Sequence, residues 1–148
     1  MQLTNFHLIT PIIGTSGQPT AGDFASLARE GYEVVINLAM PDSDDAIANE
    51  GQLVSSQGMS YLHMPIPFAA PTPSHLRQFC RLMDALEGRK ILVHCQVSAR
   101  VSAFMYKYLT MTKGVSEAEA TTPVLAKWLP QINDVWQGFL DIKADEIT

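Results

Sequence analysis

The stretch "ILVHCQVSAR" (residues 91–100) decides the fold, because a strand, a turn and the start of a helix meet in it. Ile91, Leu92 and Val93 form a short apolar run of the kind required by a strand covered on both faces. Beyond Arg100, the residues Val101, Phe104, Met105 and Tyr108 recur at helical spacing and predict an amphipathic helix. His94, Cys95 and the four residues before Arg100 therefore make a strand-to-helix turn. A cysteine in that position meets the unpaired N–H groups and the positive dipole end of the following helix, a setting that favours thiolate and binds oxyanions. Thiolate is the nucleophilic form. Arg100 adds a planar fork suited to chelating two oxygens of a phosphate or sulfate, and His94 is placed to orient the turn by hydrogen bonding its backbone.

On either side of this turn, strands alternate with helices. "FHLITPIIGTSGQPT" predicts two extended pieces broken by Pro11, and "PTAGDFASLAREGY" predicts a helix opened by a Thr20–Asp23 capping box and closed at Gly31. "YEVVINLAM" predicts a buried strand, "PDSDD" a loop, "DAIANEGQLVSSQG" a helix interrupted at Gly51, and "SYLHMPI" another strand. After the proline-rich "PFAAPTPS", the residues Leu76, Phe79, Cys80 and Met83 mark a helix that Gly88 closes, with Cys80 in its core stripe. The tail predicts two helices split by Pro123 and Pro130, with Trp128 and Trp136 as packing residues. This alternation predicts an α/β fold whose parallel strands carry ligands beyond their carboxyl ends, where "PDSDD", "PFAAPTPS" and "CQVSAR" share a rim.

The 148 residues, 47% of them hydrophobic, suit a single domain spanning 1–148. A net charge of -5 gives no general attraction to nucleic acid or to an anionic membrane, so an anion site must be local. Cys80 and Cys95 are the only cysteines and imply no disulfide framework. The start "MQLTNFHLITPIIG" has no basic segment followed by an unbroken apolar run, so a reducing cytoplasm is the expected location. His7, His63 and His75 show no metal-ligand spacing, and neither metal nor cofactor is expected.

"HCQVSARVSAF", together with the upstream "TSGQPTAGDFASLAREGYEVVINLA", resembles the bacterial branch of the cysteine-dependent protein phosphatases that is similar to dual-specificity phosphatases. The resemblance covers about Phe6 to Leu109. It implies a phosphatase-like three-layer sandwich in which a central, mostly parallel sheet is covered by helices. It also implies Cys95 as the nucleophile that becomes phosphocysteine and Arg100 as the phosphate clamp. The backbone of Gln96, Val97, Ser98, Ala99 and Arg100 would form the cradle. The implied partner is a phosphorylated protein or a small-molecule phosphate ester.

Two features depart from the wider phosphatase pattern. Four residues, "QVSA", separate cysteine from arginine where five are usual, and none is glycine. The shorter loop is that of rhodanese-like sulfurtransferases, which keeps sulfur transfer as an alternative. The loop expected to supply an acidic residue for the leaving group reads "PIPFAAPTPS", with Pro67 at the aspartate position. Asp42, Asp44 and Asp45 are the substitutes on the same rim, with a turn and helix cap as their simpler role. A degenerate phosphate-binding domain without turnover is the remaining alternative. Ser98 or Ser102 is a candidate partner for Cys95, and Gln18 a candidate to pack behind the site.

Overall fold

A computed structural model describes residues 2–148 and divides into two compact units. The first runs up to Pro65 and takes in Gly88–Val101; the second comprises Ile66–Glu87 and Ser102–Thr148.

The first unit is built on a five-stranded sheet: β1 (His7–Thr10), β2 (Ile13–Ser16), β3 (Val34–Asn37), β4 (Ser60–His63) and β5 (Ile91–His94), in the order β1-β2-β5-β3-β4. β2, β5, β3 and β4 run parallel, and β1 closes one edge as an antiparallel partner of β2. The alternation of strands with helices predicts the parallel part. The antiparallel edge follows from the short Pro11 turn, since a two-residue connection can join only antiparallel strands. All four residues of β3 and of β5 are buried, as their unbroken apolar runs require. Helices α1 (Asp23–Arg29) and α2 (Glu50–Ser56) set Phe24, Leu27 and Val54 in a core with Val35, Leu92, Tyr32 and Met59.

The register fixes the rim. Ser16 pairs with His94, His94 with Asn37, and Asn37 with His63, so β2, β5, β3 and β4 all end at one edge.

Three local expectations change. α2 begins only at Glu50 because residues 40–49 are consumed by successive turns, with Ser43 N–H on Met40 O, Ala46 on Ser43 and Glu50 on Ile47. Gly51 sits inside the helix instead of breaking it: a Cβ there would lie 3.0 Å from the Tyr61 ring, so its bareness lets α2 approach β4. Of the Thr20–Asp23 box only one half forms, the Asp23 carboxylate accepting from Thr20 N–H at 2.8 Å.

The second unit is helical. α3 (Pro73–Ala85) starts on a Thr72–His75 capping box, with Pro73 in its first turn, and buries Leu76, Phe79, Cys80 and Met83. α4 (Ala99–Thr112) begins in the first unit and continues into the second. The tail holds three α-helices, where two are predicted: α5 (Glu117–Ala120), α6 (Pro123–Trp128) and α7 (Asp134–Leu140). Pro123 opens α6 behind its Thr122 cap, and Pro130 falls in a 3-10 turn (Leu129–Gln131) before Asn133 caps α7. Phe79, Phe104, Trp136 and Phe139 form an aromatic cluster. Phe104 lies 4.5 Å from Phe139 and 5.5 Å from Phe79, centroid to centroid. Trp136 is fully buried and donates its Nε1–H to Phe68 O at 2.8 Å. Lys107 is buried too, its ammonium satisfied by the Leu140 and Ile142 carbonyls, both at 2.7 Å, that close α7.

Among the described residues, no helix is long and apolar enough to cross a membrane.

Candidate active site

β5 delivers His94 and Cys95 to the rim, and α4 starts four residues later at Ala99. The end of the strand is gripped from both sides: Leu38 N–H donates to His94 O at 2.8 Å, and Cys95 N–H to Ser16 O at 3.3 Å. His94, Cys95, Ser98 and Arg100 are all buried, with Cys95 1% and Arg100 6% exposed. The strand-to-helix turn expected here is present, but Arg100, expected before the helix, lies inside its first turn because α4 already starts at Ala99.

Three successive carbonyls of the loop are tied off. The Cys95 carbonyl faces His94 Nδ1 at 3.2 Å, the Gln96 carbonyl accepts from Gln18 N–H at 2.9 Å, and the Val97 carbonyl accepts from Asn5 Nδ2 at 2.9 Å. In a trans peptide the C=O and the next N–H point in opposite directions. Fixing these carbonyls therefore turns the N–H groups of Gln96, Val97 and Ser98 the other way. Ser98 then takes φ +72, a left-handed conformation that a glycine adopts without strain and a serine holds only under local constraint. Asn5, which ties the Val97 carbonyl, is itself left-handed at φ +52, tolerable for asparagine.

Gly17 is required by closeness. A Cβ on it would sit 2.6 Å from the Gln96 carbonyl oxygen and 3.1 Å from the Thr4 side chain.

Behind the loop lies a carboxylate that sequence reasoning missed. Glu50, 3% exposed, places Oε2 2.6 Å from His94 Nε2 and accepts from Gln18 Nε2 on Oε1 at 2.7 Å. Both ring nitrogens of His94 thus face oxygens. Gln18, expected to pack behind the site, does so through its side chain on Glu50 and its backbone on Gln96. Glu50 had no distinguishing signal, standing at the start of a short helix after a run of turn-forming residues. Asn5 had none either.

Of the acidic residues after β3, Asp42, Asp44 and Asp45 are all exposed, and Asp45 is contacted by the loop through Gln96 Nε2 at 3.4 Å. A groove of about 520 Å³ beside the loop is lined by Asp45, Gln18, Ile47, Gln96 and Val97 among others. The other histidines serve structure: His63 Nε2 lies 2.7 Å from Ala39 O, and His75 completes the α3 cap. Ser102 lies buried within α4.

Residues 12–132 match the family described as "DSP-PTPase phosphatase fused to NAD+ Kinase". Among solved structures, the chain is similar to a candidate phosphatase (DUF442) of Shewanella putrefaciens CN-32, with 34% identity and a TM-score of 0.84 over 93% of this chain and 89% of the other. It shares its fold with P. aeruginosa TpbA, in a Cys-to-Ser form in complex with pTyr, at 16% identity and a TM-score of 0.66 over 93% of this chain and 88% of that one. The fold is also that of kinase associated phosphatase, carrying a substitution of its catalytic site cysteine, at 14% identity and a TM-score of 0.75 over 99% and 95% of the two chains. A curated relative, the beta-lactamase hydrolase-like protein of Xylella fastidiosa, is 30% identical over 92 residues, which are 60% of this chain and 21% of that protein.

Proposed function

This chain belongs to the DSP-PTPase phosphatase family, and on that premise we propose that it hydrolyses phosphomonoesters through a covalent phosphocysteine at Cys95. The observation that carries the reading is the triple tie of the Cys95, Gln96 and Val97 carbonyls, which turns the amides of residues 96–98 the other way and so supports an anion held beside the thiol. Cys95 Sγ, as thiolate, attacks phosphorus; the P–S bond forms as the ester P–O bond breaks. The leaving alkoxide takes a proton from a carboxyl group after β3. Asp45, within reach of Gln96, is better supported in this role than Asp42 or Asp44. Water then attacks the phosphocysteine and loses a proton, the P–S bond breaks, and thiolate and inorganic phosphate are released. Arg100, buried at the start of α4, binds two phosphoryl oxygens with its fork, and the amides of residues 96–100 bind the charge that develops on them.

The substrate class is a phosphorylated protein or a small phosphate ester. TpbA in complex with pTyr shows that a protein of this fold takes an aromatic phosphoester.

The four-residue spacing favours one further reading, sulfur transfer through a persulfide on Cys95. One experiment separates the two. The reduced protein and Cys95→Ser are assayed for p-nitrophenyl phosphate hydrolysis and for thiosulfate:cyanide transfer. Turnover of the phosphoester is expected to fall by at least about 10³-fold in Cys95→Ser, with the fold retained. Equal turnover by both proteins sinks the phosphatase reading. Thiocyanate formation without phosphoester hydrolysis replaces it by sulfur transfer.

A further inference from the structure

A buried carboxylate is costly unless it is paired and hydrogen bonded, and Glu50 is the one fully enclosed acidic side chain among the described residues. Its position is not explained by packing alone. Both carboxylate oxygens are spent on residues that hold the catalytic loop: Oε2 on His94 and Oε1 on Gln18, each shorter than 2.8 Å.

The next bonds run into the loop itself. His94 uses its second ring nitrogen on the Cys95 carbonyl, and Gln18 uses its backbone N–H on the Gln96 carbonyl. Glu50 is therefore two bonds from each of two consecutive loop carbonyls, along separate arms. The arms differ in kind: one runs through the residue before the thiol in sequence, the other through the segment after β2. Asn5 holds the third carbonyl, that of Val97, independently of Glu50.

We propose that Glu50 is a positioning residue: through His94 and Gln18 it keeps the Cys95 and Gln96 carbonyls turned away from the anion site, so that the amides of Gln96 and Val97 face the oxyanion. This rests on the phosphatase reading and deepens it. With the carboxylate removed, His94 and Gln18 lose the group that fixes their orientation. The two peptide units become free to rotate, and a carbonyl pointing at a bound phosphate repels what an amide attracts. Placement errors of about 1 Å at such a distance from the chemistry cost on the order of 10²-fold. Hydrogen bonding is what Glu50 supplies, so glutamine of the same shape serves in its place: its amide oxygen accepts from Gln18 and its NH₂ donates to His94 Nε2, leaving Nδ1–H for the Cys95 carbonyl.

The test measures inorganic phosphate binding as product inhibition and by calorimetry, together with kcat and KM for p-nitrophenyl phosphate and the melting temperature. It compares the unmodified protein with Glu50→Ala, Glu50→Gln, Gln18→Ala and Asn5→Gly. Glu50→Ala is expected to weaken phosphate binding and kcat/KM by about 10²-fold, and Glu50→Gln to restore both to within a few-fold of the unmodified protein. Asn5→Gly keeps the left-handed backbone, removes the third tie, and is expected to weaken phosphate binding about 3- to 10-fold at the cost of one donor. Gln18→Ala decides the matter if Glu50→Ala does not fold: it keeps the backbone N–H on the Gln96 carbonyl, cuts that arm from Glu50, and is expected to weaken phosphate binding about 3- to 10-fold. A folded Glu50→Ala with unchanged phosphate binding overturns the proposal, as does a Glu50→Gln as defective as the alanine variant, or, where Glu50→Ala is unfolded, a Gln18→Ala that binds phosphate normally. If the unmodified protein neither hydrolyses the ester nor binds phosphate, the functional reading fails and the proposal with it. Turnover and binding by the unmodified protein alongside an indifferent Glu50→Ala removes the proposal alone.

Discussion

Cys80 and Cys95 are both free and both buried, at 6% and 1% exposure, yet their surroundings have nothing in common. Cys80 lies on the apolar stripe of α3 between Phe79 and Met83, where burial pushes its thiol up from the ordinary cysteine range. Cys95 ends a strand in a loop whose carbonyls are tied away and whose next helical turn carries Arg100. Burial does not distinguish a packing thiol from a reactive one. The direction of the neighbouring peptide dipoles is the difference on which the proposed role of Cys95 rests.

Three substitutions sharpen or break that contrast. The largest effect is expected on the packing side. Trp136→Ala empties a fully buried site in the aromatic cluster and removes its bond to Phe68, so urea unfolding should show a loss of about 3–5 kcal/mol. A loss below about 1 kcal/mol means that the cluster is not the stabilising centre of the helical unit.

Gly17→Ala acts on the other side. The new methyl must displace the Gln96 carbonyl, which Gln18 holds. Turnover of p-nitrophenyl phosphate should fall on the order of 10²-fold while melting changes far less; unaltered turnover breaks the link between carbonyl direction and chemistry.

The smallest effect belongs to Tyr108. Burial, with the hydrogen bond it donates to Asp84, pushes its phenol up to about 12. The folded-state value is raised, so the stabilisation is fully present below the ordinary tyrosine range near 10 and is lost as pH rises from there through about 12. Tyr108→Phe should make unfolding less sensitive to pH in that window, by about 1–2 kcal/mol. An identical alkaline decline in both proteins contradicts the assignment.

The sequence made the candidate site legible because its signals are local. A β-branched run, a cysteine, a short polar turn and an amphipathic stripe lie within eighteen residues, Ile91 to Tyr108, and each has one structural meaning. The sheet was legible for the same reason, since continuous apolar strands separated by helices pair in parallel. Glu50 and Asn5 were not, because they reach the loop from forty-five and ninety-two positions away from Cys95 and Val97, and contacts of that range leave no periodic trace. The late start of α2 was hidden by Ala46, Ile47 and Ala48, which suit a helix but lie in turns closed by backbone bonds, Ala46 N–H on Ser43 O and Glu50 N–H on Ile47 O. The tail's third helix is hidden because proline marks a division in the sequence without saying on which side a helix lies, and behind Thr122 it opens α6.

The most direct measurement compares the two thiols in one sample. The reduced protein is treated with iodoacetate at neutral pH, with and without inorganic phosphate, and carboxymethylation at Cys95 and Cys80 is followed by peptide mapping. Selective modification of Cys95, slowed by phosphate, is the predicted result. Equal modification of the two cysteines, or modification of Cys95 that phosphate does not slow, contradicts an oxyanion site built around Cys95.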